Sequence, residues 1–276
     1  MKIYSPTTPS RRFITGIDYS KILTENEPHK KLTKGFKKAK GRNVFGRVTS
    51  RGRGGGVKKL YREIDFRMDK INQPARLLSV EYDPNRSGFI GLVEYQDDKE
   101  KRYLLLPREV KTGEEILTSP TAPLKPGNRL LLKNIPTGAK IYNIEIKPGG
   151  GAKMVRSAGS FAEVLSHEEG FALIKLPSKE IRKIDDKGFA SIGQVSNPEH
   201  RFVVIGKAGR NRLMGRRPIV RGSAQYPASH KYGGGEGRAP RGTKRPKTKW
   251  GKITGGRKTR KPKKYSDLFI VERRKK

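Results

Sequence analysis

The chain has 276 residues, with 63 Lys and Arg against 26 Asp and Glu, a formal net charge of +37 and no cysteine. Solubility of a small domain needs a charge of magnitude only about 2–8, so this excess calls for a partner dense in negative charge, nucleic acid first. The lack of cysteine excludes disulfides, thiolate catalysis, iron–sulfur clusters and Cys-ligated zinc, four scattered His do not replace it, and no run approaches the ~18 apolar residues of a membrane helix.

Residues 1–10 lack the apolar core of a secretory signal and the sustained Arg/Ser pattern of a transit peptide, so a cytosolic or organelle-interior setting is expected. Charge then divides the chain in three. Residues 1–60 hold 16 basic and 3 acidic residues, 61–200 hold 22 and 20, and 201–276 hold 25 and 3, for nets of +13, +2 and +22. The basic ends carry too little apolar material to offset their ordering entropy, so they are expected to order on a partner while the near-neutral middle folds.

In chain order, the first segment, 1–59, reads as extended and basic. Its run 41–59 interleaves Gly54, Gly55 and Gly56 with Arg47, Arg51, Arg53, Lys58 and Lys59. Glycine lets consecutive N–H groups approach phosphate oxygens, and the neighbouring cations neutralise the charge they meet. A flexible linker is the alternative, and the strand signal that follows favours phosphate contact.

Residues 60–122 then read as one β-module, with apolar runs at 77–82, 89–95 and 103–106. Hairpin signals stand at 83–88 and 96–99. Pro120, Pro123 and Pro126 interrupt the pattern. A second β-module, 123–200, carries runs at 129–132, 141–146, 161–165 and 171–176, with hairpin signals at 167–170 and 185–188. Such short runs with regular turns favour small barrels, of sizes marginal alone and stabilised by docking on a partner.

The tail, 201–276, holds one helical segment, 207–214, basic on most faces. Lys207, Arg210, Arg212, Arg216, Arg217, Arg221 and Arg238 supply donors suited to phosphate. Tyr226, Tyr232 and Trp250 suit either stacking on unpaired bases or filling small gaps. His230 followed by Glu236 in a glycine-rich loop invites a general-base reading. A single nearby carboxylate and no nucleophile speak against catalysis, and a hydrogen bond from His230 to backbone or RNA is the better expectation. The stretch 237–244 imitates a P-loop but puts Thr243 before Lys244, with Pro240 inside and no preceding apolar strand. Glycines 149–151 lack dinucleotide-binding spacing.

Several pieces, in one order, carry a resemblance. They are Gly41-Arg42-Asn43 with Gly46-Arg47-Val48-Thr49, the glycines 54–56 with Lys58, Lys59, Tyr61 and Arg62, then 135–138, 155–160 and 191–195, and finally Gly206-Lys207-Ala208-Gly209-Arg210, 215–222 and 233–238. With them the sequence resembles, from about Ser5 to its C-terminus, the bacterial form of the universal large-subunit ribosomal protein two family. The resemblance implies a mainly β fold: an OB-fold module followed by an SH3-like barrel, with an extended basic N-terminal segment and a long basic C-terminal tail threaded into RNA. It implies a structural, non-enzymatic role on large-subunit rRNA, support of subunit association, and the architecture around the peptidyl-transferase region without being the catalyst. Other ribosomal proteins are expected partners, with contact to the small subunit at the intersubunit face; no membrane, small-molecule substrate or cofactor is expected, beyond magnesium associated with the rRNA.

The expected RNA-binding residues are thus those of the 41–59 run, Arg62, Arg156 in the second module, and Lys207, Arg210, Arg212, Arg216, Arg217, Arg221, His230, Lys231, Arg238 and Trp250 in the tail. The chain departs from the family in two places. Where members usually carry Met-Asn-Pro-Val-Asp-His-Pro-His, it has residues 225–232, which keep the first histidine as His230 but replace the Asp by Ser229 and the second histidine by Tyr232. Val57 stands where a histidine usually follows the triple glycine. A nucleic-acid enzyme using His230 and a compactor of duplex DNA are the rival readings.

Overall fold

The computed structural model describes residues 1–35, 40–108, 110–235, 240–256 and 258–274. The chain forms two compact units. The first comprises Met1–Lys37, Lys58–Lys207 and Ser266–Lys276, and the second Lys38–Val57 with Ala208–Tyr265.

The first unit opens with two small antiparallel pairs, β1 (Lys2–Ile3) on β2 (Thr15–Gly16) and β3 (Thr33–Gly35) on β4 (Leu60–Arg62). A four-stranded antiparallel sheet follows, built from β5 (Pro74–Glu81), β6 (Ile90–Tyr95), β7 (Lys101–Leu105) and β8 (Glu115–Leu117) in the order β7-β6-β5-β8. Period-two alternation explains the first half of β5, where Ala75 and Leu77 point inward and Arg76 and Leu78 outward. A bulge between Leu77 and Ser79 then changes the register. Leu77, Phe89, Val93, Tyr95, Leu104, Leu106 and Ile116 form this sheet's core.

The turn between β5 and β6 is set by Asp83, whose carboxylate accepts the Asn85 N–H at 2.8 Å and pairs with Arg86 at 2.5 Å. That is an Asx turn, in which a side chain closes the ring that backbone would otherwise close. In the proline-interrupted stretch, Asn128 does the ordering. Its Oδ1 accepts the Leu117 N–H at 2.9 Å and its Nδ2 donates to the Pro123 carbonyl at 3.0 Å.

Next come β9 (Arg129–Leu131), β10 (Lys140–Tyr142), β11 (Ile144–Glu145), β12 (Ala152–Met154), β13 (Ala162–Glu168), β14 (Phe171–Lys175), β15 (Ile181–Asp185) and β16 (Phe189–Ile192). Near the C-terminus β17 (Ile270–Glu272) returns to pair with β15, completing a sheet of order β17-β15-β14-β13-β10-β16-β9. Leu130, Leu132, Ile135, Ile141, Ile144, Val164, Ile174 and Ile184 fill its core. The expected hairpin at 185–188 is a turn, with Gly188 N–H on the Asp185 carbonyl at 3.1 Å, but not a hairpin: β15 and β16 are not sheet neighbours, because β14, β13 and β10 lie between them. The single run expected at 141–146 is split at Asn143, whose positive φ of 50° sends β11 to pair with β12 outside the large sheet.

The two sheets of this unit pack together. Leu105, Tyr142 and Val195 share a small core, and Ser196 Oγ accepts the Phe89 N–H at 2.9 Å. Beneath the second sheet, Arg129 is fully buried and donates to Glu145 Oε1 and to the Asn143 carbonyl, each at 2.9 Å. Burial pushes the Arg129 pKa down and the Glu145 carboxylate pulls it back.

Candidate nucleic-acid interface

The second unit joins two runs about 160 residues apart in sequence. Gly54 N–H donates to the Gly215 carbonyl at 3.1 Å, Arg217 N–H to the Gly52 carbonyl at 2.8 Å, and Val57 N–H to the Leu213 carbonyl at 3.0 Å; Arg53 and Arg216 form an antiparallel bridge. Gly52 makes this approach possible. Its φ is +68°, and a Cβ there would lie 2.5 Å from Ile219 Cγ1. Helix α1 (Ala208–Leu213) precedes the pairing segment, and two of its six residues are Arg210 and Arg212.

Around this pairing lies a groove of about 670 Å³ lined by Arg51, Arg53, Asn211, Arg212, Arg216 and Arg217. A neighbouring groove of about 490 Å³ is lined by Arg51, Arg221, His230, Tyr232, Arg241 and Lys247. Arg47, Arg51, Arg53, Arg212, Arg216, Arg217 and Arg221 are exposed, and among the described residues none of their side chains has a hydrogen-bonding or ionic partner. The unit holds 25 Lys and Arg against one carboxylate, Glu236, which lies outside the described residues. Cations gathered at this density, beside backbone opened by glycine, are chemically suited to phosphate oxygens.

Residues 29–118 match the family model for ribosomal proteins L2, RNA binding N-terminal domain, and residues 125–251 match the model for ribosomal proteins L2, C-terminal domain. The chain belongs to the ribosomal protein L2 family. It is accordingly a structural constituent of the ribosome that binds rRNA, with rRNA and other ribosomal proteins as partners. Its mainly β architecture is the family's OB-fold module followed by an SH3-like barrel. No helix among the described residues is long and apolar enough to cross a membrane.

Within this L2-family frame the residues singled out from sequence fall into three groups. Arg51, Arg53, Arg212, Arg216, Arg217 and Arg221 line the two grooves beside the segment of Gly54, Gly55 and Gly56, whereas Arg47 and Lys231 are exposed but line neither groove, and Arg210 is half-buried. Trp250 is 77% exposed with Lys249 over its ring at 4.6 Å, and Lys231 lies 5.7 Å from the Tyr232 ring. Lys58, Lys59, Arg62, Arg156 and Lys207 belong to the first unit. Lys58 and Lys207 are exposed, whereas Lys59 is half-buried and donates to the Pro84 carbonyl. Arg156 is exposed yet stacks 4.5 Å from the Phe66 centroid and donates to the Ala152 carbonyl at 3.3 Å. Arg238 lies outside the described residues.

Arg62 and His230 sit differently from what a surface contact requires. Arg62 takes the inward position of β4, is 8% exposed and donates to the Leu60 carbonyl at 3.0 Å. Its charge opposes the effect of burial on Glu81, whose pKa is raised by desolvation against hydrogen bonds from Tyr103 and Ser79. His230 is 7% exposed and stacked over Gly222, where a Cβ would come 2.6 Å from His230 Cε1. Its Nδ1 accepts the Tyr232 N–H at 3.2 Å, and its ring centroid lies 4.9 Å from that of Tyr232. Tyr232 is in turn fixed through its hydroxyl by Thr243 at 2.6 Å and by the Lys247 N–H at 2.8 Å. The departure to tyrosine at 232 therefore supplies a support for His230. Sequence reading also passed over Arg241 and Lys247, which line the second groove; the cation density of 240–252 was the available signal.

Proposed function

We propose that the protein is a non-catalytic scaffold of the large ribosomal subunit, whose second unit neutralises converging rRNA phosphates so that RNA helices can pack. The observation that carries this reading is the backbone pairing of residues 52–54 with 215–217, which concentrates unpartnered arginines on one surface. Phosphate contacts are assigned to Arg47, Arg51, Arg53, Arg212, Arg216, Arg217 and Arg221, with Lys58, Lys207 and Lys231 as further donors. Arg62 and His230 are assigned to shaping the chain that presents them. The packing role of His230 supports a non-enzymatic reading: its ring is spent on Gly222 and Tyr232.

Membership of the family supports the further proposals that the protein aids subunit association and the peptidyl-transferase architecture and resides in ribosomes of the cytoplasm, or of an organelle interior for an organelle-encoded chain. No cofactor of the protein's own is proposed, and magnesium at this surface is assigned to the rRNA. Crosslinking and sequencing of bound RNA in the protein's own cells, combined with sedimentation, tests the reading. Crosslinks confined to large-subunit rRNA from particles of that size are expected. Crosslinks scattered over mRNA or DNA, with the protein sedimenting free, would overturn it.

A further inference from the structure

Val44 and Phe45 are 98% and 86% exposed, an unusual position for two adjacent apolar side chains. They occupy the tip of a closed turn. Asn43 N–H donates to the Arg47 carbonyl at 2.9 Å and Gly46 N–H to the Asn43 carbonyl at 3.0 Å. Asn43 Oδ1 accepts the Arg47 N–H at 2.9 Å, and the Arg42 guanidinium donates to the Gly46 carbonyl at 2.7 Å. Arg42 and Val48 form a bridge below, and a Cβ added at Gly46 would meet nothing within 4 Å, so the tip stands in open space. The turn is thus held by its own polar groups, so the backbone that carries the aromatic ring is already ordered before any partner arrives.

Resting on the rRNA-binding reading above, we propose that Phe45 is a stacking platform for an unpaired base of large-subunit rRNA. Charge selects this occupant. Arg42, Arg47, Arg51 and Arg53 stand within eight residues of Phe45, in a unit with a single carboxylate in its sequence, so a phosphate-bearing strand is drawn to the turn. A splayed base is the apolar face such a strand offers, and single-stranded RNA is commonly held by bases stacked on aromatic side chains. Phenylalanine has no hydrogen-bonding edge, so the platform accepts any base and contributes affinity without sequence selection. Arg42 serves the turn itself, and Arg47 remains for the adjacent phosphate.

The test uses the full chain with large-subunit rRNA of its own cells, comparing wild type with Phe45→Ala, Phe45→Leu and Phe45→Trp by equilibrium binding at several salt concentrations, and mapping 254 nm crosslinks by mass spectrometry. Phe45→Ala should weaken binding about 5- to 150-fold without changing the salt slope, because stacking releases no counterion. Phe45→Trp should restore affinity, Phe45→Leu should not, and residue 45 should crosslink to a nucleotide in the wild type. Unchanged affinity in Phe45→Ala, or full recovery in Phe45→Leu, overturns the proposal, the latter because it shows packing into an apolar pocket. Wild type that fails to bind rRNA overturns instead the reading on which it rests. The variants keep the turn, since the ring makes no contact the fold depends on.

Discussion

The two units use charge in opposite ways. In the first, which holds 38 Lys and Arg against 25 Asp and Glu, several cations are held by carboxylates: Arg102 pairs with Asp65 at 2.8 Å, Glu100 at 2.7 Å and also Asp69, Lys70 bridges Asp98 and Glu100, and Arg129 is sealed against Glu145. The hydrogen bond to Glu100 raises the Arg102 pKa, and the one from Arg102 lowers that of Asp69. In the second unit Arg47, Arg51, Arg53, Arg212, Arg216, Arg217 and Arg221 have no ionic partner among the described residues. Cations cancelled locally by carboxylates stabilise a fold without help from a partner. Uncancelled cations instead repel one another and are stabilised when an external polyanion arrives.

The contrast is sharpest in salt. If six to ten of the second unit's cations meet phosphates, rRNA affinity should fall about 10³- to 10⁵-fold between 50 and 200 mM salt, measured by filter binding. A nearly flat dependence would break the comparison at its centre. Next in size is Arg129→Ala, which strands the Glu145 carboxylate in the core and should cost about 3–5 kcal/mol of stability by urea unfolding. Replacing both partners with apolar residues of similar volume should recover most of that loss.

Gly222→Ala forces a methyl into the His230 ring and should cost about 1–3 kcal/mol, seen as faster proteolysis within the second unit. The same substitution should be much milder in a His230→Ala background, since the clash is gone. The smallest effect concerns Glu81. Burial raises its folded pKa above the unfolded value, so the native state binds the proton more tightly and stability falls as pH rises from about 4.5 through the raised value. Urea titrations across that window should show the decline in wild type and a flatter profile in Glu81→Gln.

Much of this architecture could be read locally. The runs expected at 89–95 and 103–106 correspond to β6 and β7, and the signal at 167–170 narrows to a two-residue turn at Glu169 and Gly170, both with positive φ, between β13 and β14. The run at 141–146 misled because Asn143 interrupts it without interrupting the apolar spacing. The burial of Arg62 was not legible, because a cation in a basic neighbourhood reads as surface, while its inward position on β4 leaves it 8% exposed. Phe45 escaped notice as an ordinary apolar residue between arginines, and its exposure emerges from the closed turn.

Sequence by itself determined the β-modules, the neutral middle, and the glycine- and arginine-rich runs, because period-two alternation, turn chemistry and net charge are properties of short stretches. Tertiary structure alone decided that residues 52–54 meet 215–217, that β17 closes on β15, and which cations face solvent. Those outcomes depend on long-range backbone pairing, whose register fixes each side chain's direction and is not encoded in the spacing of neighbouring residues.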